Sequence, residues 1–409
     1  GLWEPLRSIR DLFRHLRSIV VVGRAGQGLI AYQDLVRNQS PTCVASETSR
    51  DDVAFWLYSS GSTGFPKGAV HLHHDMVYSA ELYSRPVLQI QEKDITFSAA
   101  KLFFAYGLGN NLYFPFNVGA TAVLYPGRPL PEKMFEVIAA QRASIFYGVP
   151  TLYAAMLQAA DAEEKGAVGK RAVSAEQAMK SVRACVSAGE SLPAPIFHRW
   201  KEKFGLEILD GIGSTELLHI FISNRIGDVR PGSSGKIVPG YEARIVDEEG
   251  RGLPQGQVGN LLIKGDSAAA YYWNKHQKSK ETMVGEWLKT GDKYYQDPDG
   301  YFWYCGRSDD MLKVGGIWVS PVEVENALIG HPAVLECAVM GAQDTDELVK
   351  PKAYVVLKDG YEASEAMVEE LKGYVKEAIA PYKYPRWIEF IRELPKTATG
   401  KIQRFKLRT

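Results

Sequence analysis

The segment VAFWLYSSGSTGFPKG (Val53–Gly68) joins an unbroken apolar run to a turn of small hydroxyl and glycine residues that ends at Lys67. An apolar run bounded by turn residues predicts a strand, and the turn predicts a loop at its end. Small residues let consecutive backbone N–H groups point into one concavity, and Lys67 adds a positive charge beside it. The segment therefore reads as a phosphate cradle. It is not a Walker A loop, because Lys67 is preceded by Pro66 and followed by Gly68 instead of Ser or Thr.

Outward from this loop, strand-like runs such as Val53–Tyr58 and Ala120–Tyr125 alternate with helical stretches such as Pro131–Ala140 and Pro193–Phe204. That pattern predicts an α/β fold built on a mostly parallel, helix-covered sheet. In the second helix Phe197, Trp200 and Phe204 form a core stripe, with Ser191 expected as N-cap and Pro193 in the first turn. From about Lys236 to Lys264, short β-rich segments (YEARIVD, GNLLIKG) predict a small antiparallel β-subdomain. A third texture begins near Asp309. There VSPVEVENALIGHP predicts a Pro-started helix, AVLECAVMG and KAYVVLK predict strands, and a helix is expected from Ser364 to Ile379. The expected division is a large N-terminal domain over 1–308 and a small α+β domain over 309–409. At the front, Leu6, Ile9, Leu12, Phe13 and Leu16 at helical spacing precede the run Ile19–Val22, which predicts a helix-then-strand unit instead of a transit peptide. The polar stretch Asp161–Lys180 reads as an exposed loop or helix.

At 409 residues the chain has room for two or three domains with a sizeable core. Its 48 basic and 48 acidic residues cancel, so the broad positive field of a non-specific nucleic-acid binder is missing and no nucleic-acid partner is expected. Apolar runs such as Val53–Tyr58 and Leu152–Leu157 reach six residues, too few to span a bilayer, and no membrane partner is expected. Cys43, Cys185, Cys305 and Cys337 lie far apart without a Cys-x-x-Cys pair. Neither a disulfide framework nor a thiolate zinc site is signalled, which fits a cytoplasmic protein. His71, His73 and His74 form a metal-like cluster, but without nearby carboxylates or cysteines in the motif they read as packing at a strand end and a helix start.

Four further motifs follow the cradle in order: DGIGSTE (Asp210–Glu216) after the strand-like LEIL, TGD (Thr290–Asp292), GRSDDMLKVGG (Gly306–Gly316) and PKTATGKIQR (Pro395–Arg404). Together the five segments resemble the acyl-adenylating superfamily of acyl-CoA synthetases, luciferases and peptide-synthetase adenylation domains. The segments AYGLGNN (Ala105–Asn111), SAGESLP (Ser187–Pro193) and STELLHIFISN (Ser214–Asn224) are similar to those of benzoate-CoA ligases and other aryl-CoA ligases. The resemblance covers the chain from about Ser18 to its last residue. It also implies a chain truncated at its front, because members carry a further block before the phosphate loop.

The resemblance implies a ligase that joins an aromatic acid, benzoate or a substituted benzoate, to coenzyme A through an acyl-adenylate, using ATP and Mg²⁺. Ser59, Ser60, Gly61, Ser62, Thr63, Gly64 and Lys67 would cradle the β- and γ-phosphates. Thr215 would bind the α-phosphate and Glu216 would ligate the metal, since a hard cation prefers oxygen ligands. Asp292 would accept the ribose hydroxyls, with Arg307 donating to the same sugar. Gly189, Glu190, Asp210, Gly211, Ile212 and Gly213 would line the adenine slot. Ala105, Tyr106, Gly107 and His219, with Ile212 and Gly213, would line the aryl pocket. Lys401 would bridge the substrate carboxylate and the α-phosphate. Asp309 would be the hinge of a moving C-terminal domain, and Gly315 and Gly316 part of the tunnel for coenzyme A. Three rivals stay open at this point: an aryl-adenylating enzyme that loads a carrier protein, a synthetase for a small aliphatic acid, and a non-catalytic nucleotide-binding fragment. A homodimer is compatible with the sequence.

Overall fold

The computed structural model describes residues 4–60, 66–166, 173–308, 310–314, 317–345, 348–396 and 402–407. Of the positions named above, Gly61, Ser62, Thr63, Gly64, Asp309, Gly315, Gly316 and Lys401 lie outside the described residues. The first unit, Gly1–Ser49, is compact by itself. It holds a helix Glu4–Arg7, a 3₁₀ turn Arg10–Leu12, two-residue parallel strands Val20–Val21 and Ile30–Ala31, and a helix Tyr32–Val36. The strand follows the helix as expected, but the helix predicted through Leu16 stops early, and Leu12 is 75% exposed. A short amphipathic helix is stable only where its apolar face is packed.

In the second unit, Arg50–Thr409, five parallel strands run side by side in the order Ile208–Gly213, Ala184–Ser187, Ile145–Gly148, Ile95–Ser98 and Thr121–Val123. Ile220–Ser223 and Lys236–Ile237 extend this sheet antiparallel at one edge. Every residue of Ile145–Gly148 and Ala184–Ser187 is buried, as strands with both faces covered must be. Helix Ala194–Phe204 contributes Trp200, fully buried, with its ring 4.8 Å edge-on from that of Tyr153 on helix Pro150–Glu164. Its N-cap is Pro193, not Ser191, and no side chain caps it. The Leu192 N–H is drawn instead to the Asp210 carboxylate at 3.2 Å, which holds this stretch against the sheet before the helix begins. The chain runs outward from Ile95–Ser98 to Thr121–Val123, then returns to the opposite side for Ile145–Gly148. Such a reversal opens a crevice at the carboxyl ends of the strands.

The strand that opens the phosphate segment does not join this sheet. Val53–Ser60 pairs antiparallel with Pro66–Leu72, Leu57 facing Ala69 and Ser59 facing Lys67, and Tyr271–Tyr272 adds a third strand. The reason lies in loop length. A parallel return needs about a dozen residues of crossover, and the strands Val53–Ser60 and Pro66–Leu72 are too close in sequence for one.

The β-subdomain expected over Lys236–Lys264 is a five-stranded antiparallel sheet that starts later and reaches further, of Glu242–Val246, Gly259–Lys264, Met283–Val284, Trp287–Gln296 and Phe302–Arg307, while Lys236–Ile237 belongs to the large sheet. Beyond it, Val334–Gln343 and Val349–Leu357 pair antiparallel, and Trp387–Phe390 joins the second in parallel. Helices Pro321–Ile329 and Glu365–Ala378 set Val324, Leu328, Leu371 and Val375 into one core with Val339 and Val355. Both helices are capped as serine caps should be: Ser320 accepts the Glu323 N–H and Ser364 the Met367 N–H, each at 3.2 Å. Among the described residues no helix is long and apolar enough to cross a membrane.

Candidate active site

At the base of the phosphate hairpin a connected polar cluster fixes the groups expected to face phosphate. Ser214 Oγ accepts the Leu217 N–H at 3.2 Å and turns Thr215–Leu217 into one 3₁₀ turn directly past strand Ile208–Gly213. The Thr215 carbonyl is met at 2.8 Å by His71 Nε2, whose Nδ1 lies 2.7 Å from Asp75. His71 and Asp75 are fully buried. Both partners of the ring are acceptors, the Thr215 carbonyl at Nε2 and the Asp75 carboxylate at Nδ1, and together they fix its orientation. The expected strand-end and helix-start placement is observed, His71 closing Pro66–Leu72 and His73 opening His73–Ser79. The Glu216 carbonyl accepts the Ala269 N–H at 2.7 Å, and its carboxylate accepts the Tyr272 hydroxyl at 2.6 Å. Lys67 Nζ stands 4.8 Å from the centre of the Tyr272 ring. Burial lowers the Lys67 pKa, and Glu216 opposes that shift.

A second group lies on the antiparallel sheet. Asp292 and Arg307 are register partners on adjacent strands, and Arg307 Nη1 donates to Asp292 Oδ1 and to the Thr290 carbonyl, both at 3.0 Å. A carboxylate so neutralised is fixed in place while keeping lone pairs for further donors. Gly189 and Glu190 lie just past the carboxyl end of Ala184–Ser187, and Asp210, Gly211, Ile212 and Gly213 make up the end of the neighbouring strand. Asp210 is 4% exposed, and burial pushes its carboxyl up to about 8. At Gly213 a Cβ would stand 2.5 Å from the His219 carbonyl oxygen. Glycine there is demanded by the hairpin with Ile220–Ser223, whatever else faces it.

The residues expected around an aromatic ring meet beneath this crevice. Ala105, Tyr106 and Gly107 lie on helix Ala105–Leu108, which continues into a π-helical turn, Gly109–Tyr113. Such wide turns recur at functional sites. The Tyr106 hydroxyl reaches the Val186 carbonyl at 3.1 Å and the Gly148 carbonyl at 3.2 Å, the ends of two parallel strands. The His219 ring lies 5.6 Å from that of Tyr106 and 4.5 Å from that of Phe114. Its Nε2 faces two acceptors, Asn110 Oδ1 at 3.1 Å and the Tyr106 carbonyl at 3.3 Å, so the proton sits on Nε2. Burial pushes its pKa down to about 3. His219 is therefore a neutral, shape-defining wall.

The carboxy-terminal segment reaches the same crevice. Lys396 and Ile402 form an antiparallel bridge, Gln403 N–H donates to the Pro395 carbonyl at 2.7 Å, and Ile402 N–H donates to Glu190 Oε1 at 2.8 Å. Arg404 holds Glu325 through both guanidinium nitrogens and the Val339 carbonyl at 3.0 Å.

Among the described residues no group of three or more His, Cys, Asp or Glu could hold a metal ion by itself. That suits Mg²⁺ shared with a triphosphate, because this ion commonly takes one or two carboxylates and completes its shell with phosphate oxygens and water. Glu216 fits the role, one oxygen being taken by Tyr272. Sequence reasoning missed Tyr272, the His71–Asp75 pair, Asn110 and Phe114. His71 stood in a motif already under scrutiny, and its i+4 spacing to Asp75 on the following helix was a usable signal. Tyr272 lies 56 residues from Glu216 and carried none.

A family model described as AMP-binding enzyme matches residues 6–273, and one described as AMP-binding enzyme C-terminal domain matches 323–401. The chain is 56% identical to a benzoate-CoA ligase of Thauera aromatica over 96% of its own length and 72% of the relative's. It is 46% identical to a 4-hydroxybenzoate-CoA/benzoate-CoA ligase of Rhodopseudomonas palustris, over 96% of this chain and 71% of that one. Among solved structures, an anthranilate CoA ligase in complex with anthranoyl-AMP superposes with a TM-score of 0.92 at 50% identity, over 98% of this chain and 75% of that one. A benzoate CoA ligase from Burkholderia xenovorans superposes with a TM-score of 0.87 at 49% identity, over 99% and 78%. The matched regions carry the phosphate hairpin and the Thr215–Glu216 turn, and the chain belongs to the AMP-binding enzyme family.

Proposed function

We propose that the chain is an ATP-dependent aryl-CoA ligase that activates benzoate or a close relative as the acyl-adenylate and transfers the acyl group to coenzyme A. In the first half-reaction a substrate carboxylate oxygen bonds to the α-phosphorus of ATP and the bond to pyrophosphate breaks. In the second the thiolate bonds to the acyl carbon and AMP leaves. The observation that supports this best is the Ile402–Glu190 contact, because residue 402 follows Lys401 and the contact ties that segment to the lip of the crevice.

Ser59, Ser60, Gly61, Ser62, Thr63, Gly64 and Lys67 cradle the β- and γ-phosphates, and Thr215 donates to the α-phosphate. Glu216 holds Mg²⁺, which when bound neutralises charge on the triphosphate. Asp292 and Arg307 orient the ribose, while Gly189, Glu190 and Asp210–Gly213 flank the adenine. Tyr106 and His219 wall a flat slot for the aromatic ring, with Ala105 and Gly107 on the same turn. Lys401 supplies positive charge where the pentavalent phosphorus builds up negative charge. The two half-reactions need different surroundings, so 309–409 moves as a body about Asp309, and Gly315 and Gly316 border the thiol's path. The cytoplasm, as compartment, is part of the same proposal.

ATP–pyrophosphate exchange dependent on benzoate, followed by AMP release dependent on free coenzyme A, tests the reading. Exchange without thiol-dependent release favours the carrier-protein alternative. Exchange with a small aliphatic acid but not with benzoate removes the aryl assignment.

A further inference from the structure

We propose that Tyr272 is a positioning residue: its hydroxyl orients the Glu216 carboxylate and its ring face orients the Lys67 ammonium toward a magnesium-bound triphosphate. The proposal rests on the adenylate-forming reading above. Tyr272 is 2% exposed, and its backbone is stitched to both partners' elements. As part of the third strand it faces Ala69 across the phosphate hairpin, with Ala270 N–H donating to the Val70 carbonyl at 2.9 Å and Trp273 N–H to the Gly68 carbonyl at 2.8 Å. Three residues earlier, Ala269 N–H donates to the Glu216 carbonyl at 2.7 Å. The side chain repeats the link. The hydroxyl donates to Glu216 Oε1 at 2.6 Å, and Lys67 Nζ lies 4.8 Å from the ring centre.

Tyrosine combines a hydroxyl donor at its tip with a ring face that attracts cations. Engaging Oε1 leaves Oε2 for a hard cation and removes one rotational freedom from the carboxylate. Outer partners of this kind typically change metal affinity by about 10- to 100-fold.

Calorimetric titration of the whole chain with Mg·ATP, without acid or thiol, is compared with titration by AMP in the presence of EDTA. For Tyr272→Phe, which keeps the ring, the Kd for Mg·ATP rises about ten-fold and that for AMP stays unchanged. The Mg²⁺ concentration for half-maximal pyrophosphate release rises with it, while the rate at saturating Mg²⁺ is retained. Tyr272→Leu, which also loses the face toward Lys67, weakens Mg·ATP further. The proposal is overturned if Tyr272→Phe binds Mg·ATP like the wild type, or loses AMP in the same proportion, as a loss of packing alone would produce. Wild-type protein that binds no Mg·ATP sinks the adenylate-forming reading, and this proposal with it.

Discussion

The backbone N–H of Ile402 donates to Oε1 of Glu190 across 212 residues of sequence. A hydrogen bond to a carboxylate is roughly twice as strong as one between neutral groups, so this contact helps hold Ile402 against the body that carries the Thr215–Glu216 turn. Glu190→Gln keeps an acceptor but removes the charge. Pyrophosphate exchange should slow about ten-fold, equivalent to about 1.4 kcal/mol, while thioester formation from supplied acyl-adenylate is unchanged. Equal slowing of both steps would assign Glu190 to nucleotide binding alone.

Lys401→Ala should lower the adenylation rate about 10²- to 10³-fold, the usual effect of removing one group that stabilises transition-state charge. Thioester formation from the supplied intermediate should stay close to wild type, since no phosphorus is attacked in that step. Rapid-quench measurement of each half-reaction separates the two, and parallel losses would refute the role.

Asp210 makes stability depend on pH with a definite sign. Its folded pKa is raised to about 8 from an unfolded value near 3.8, so the folded state holds a proton that the unfolded state releases. The associated stability is complete below about pH 4 and is lost as pH rises through 8, at up to roughly 1.4 kcal/mol per pH unit. Asp210→Asn mimics the protonated form. The Tm of the wild type minus that of the variant should therefore fall between pH 5 and 8 and level off above. A difference independent of pH would mean that Asp210 titrates as an ordinary carboxylate.

Gly109 packs against His219, a wall of the proposed aryl slot. A Cβ there would stand 2.4 Å from His219 Cδ2 and 2.8 Å from the Tyr113 hydroxyl, contacts that are relieved only if both rings shift. Gly109→Ala should raise KM for the aromatic acid about ten-fold and cost about 1–3 kcal/mol of stability, with ATP affinity unchanged. An unaltered KM for the acid would place the ring elsewhere.

What could be read in the sequence was what is local in it. The strand-helix alternation, the Pro-started helix near Pro321, the helix from about Ser364 and the five motifs each occupy one short window, and each is decided by neighbours a few residues apart. The missed features depend on distance. Ser191 has the chemistry of a cap, yet Asp210 captures the adjacent Leu192 N–H from another strand. The apolar spacing from Leu6 to Leu16 predicts a helix but cannot say what it packs on. Tyr272 and Glu216 meet only because Tyr271–Tyr272 pairs with Pro66–Leu72. The strand Val53–Ser60 was legible as a strand, while its antiparallel partner was a matter of loop length.

The Lys396–Ile402 bridge and the Arg404–Glu325 pair have a consequence for the energetics of turnover. Both ends of the short stretch that contains Lys401 are fastened to residues of the carboxy-terminal sheet and helix: Arg404 to Glu325 on helix Pro321–Ile329, and Lys396 to Glu336 on strand Val334–Gln343 at 2.6 Å. Lys396 and Arg404 are thus already ordered against the carboxy-terminal sheet and helix, and fixing them again costs no further conformational entropy. For the proposed movement of 309–409, the contacts to be exchanged are then interfacial ones such as that between Ile402 and Glu190.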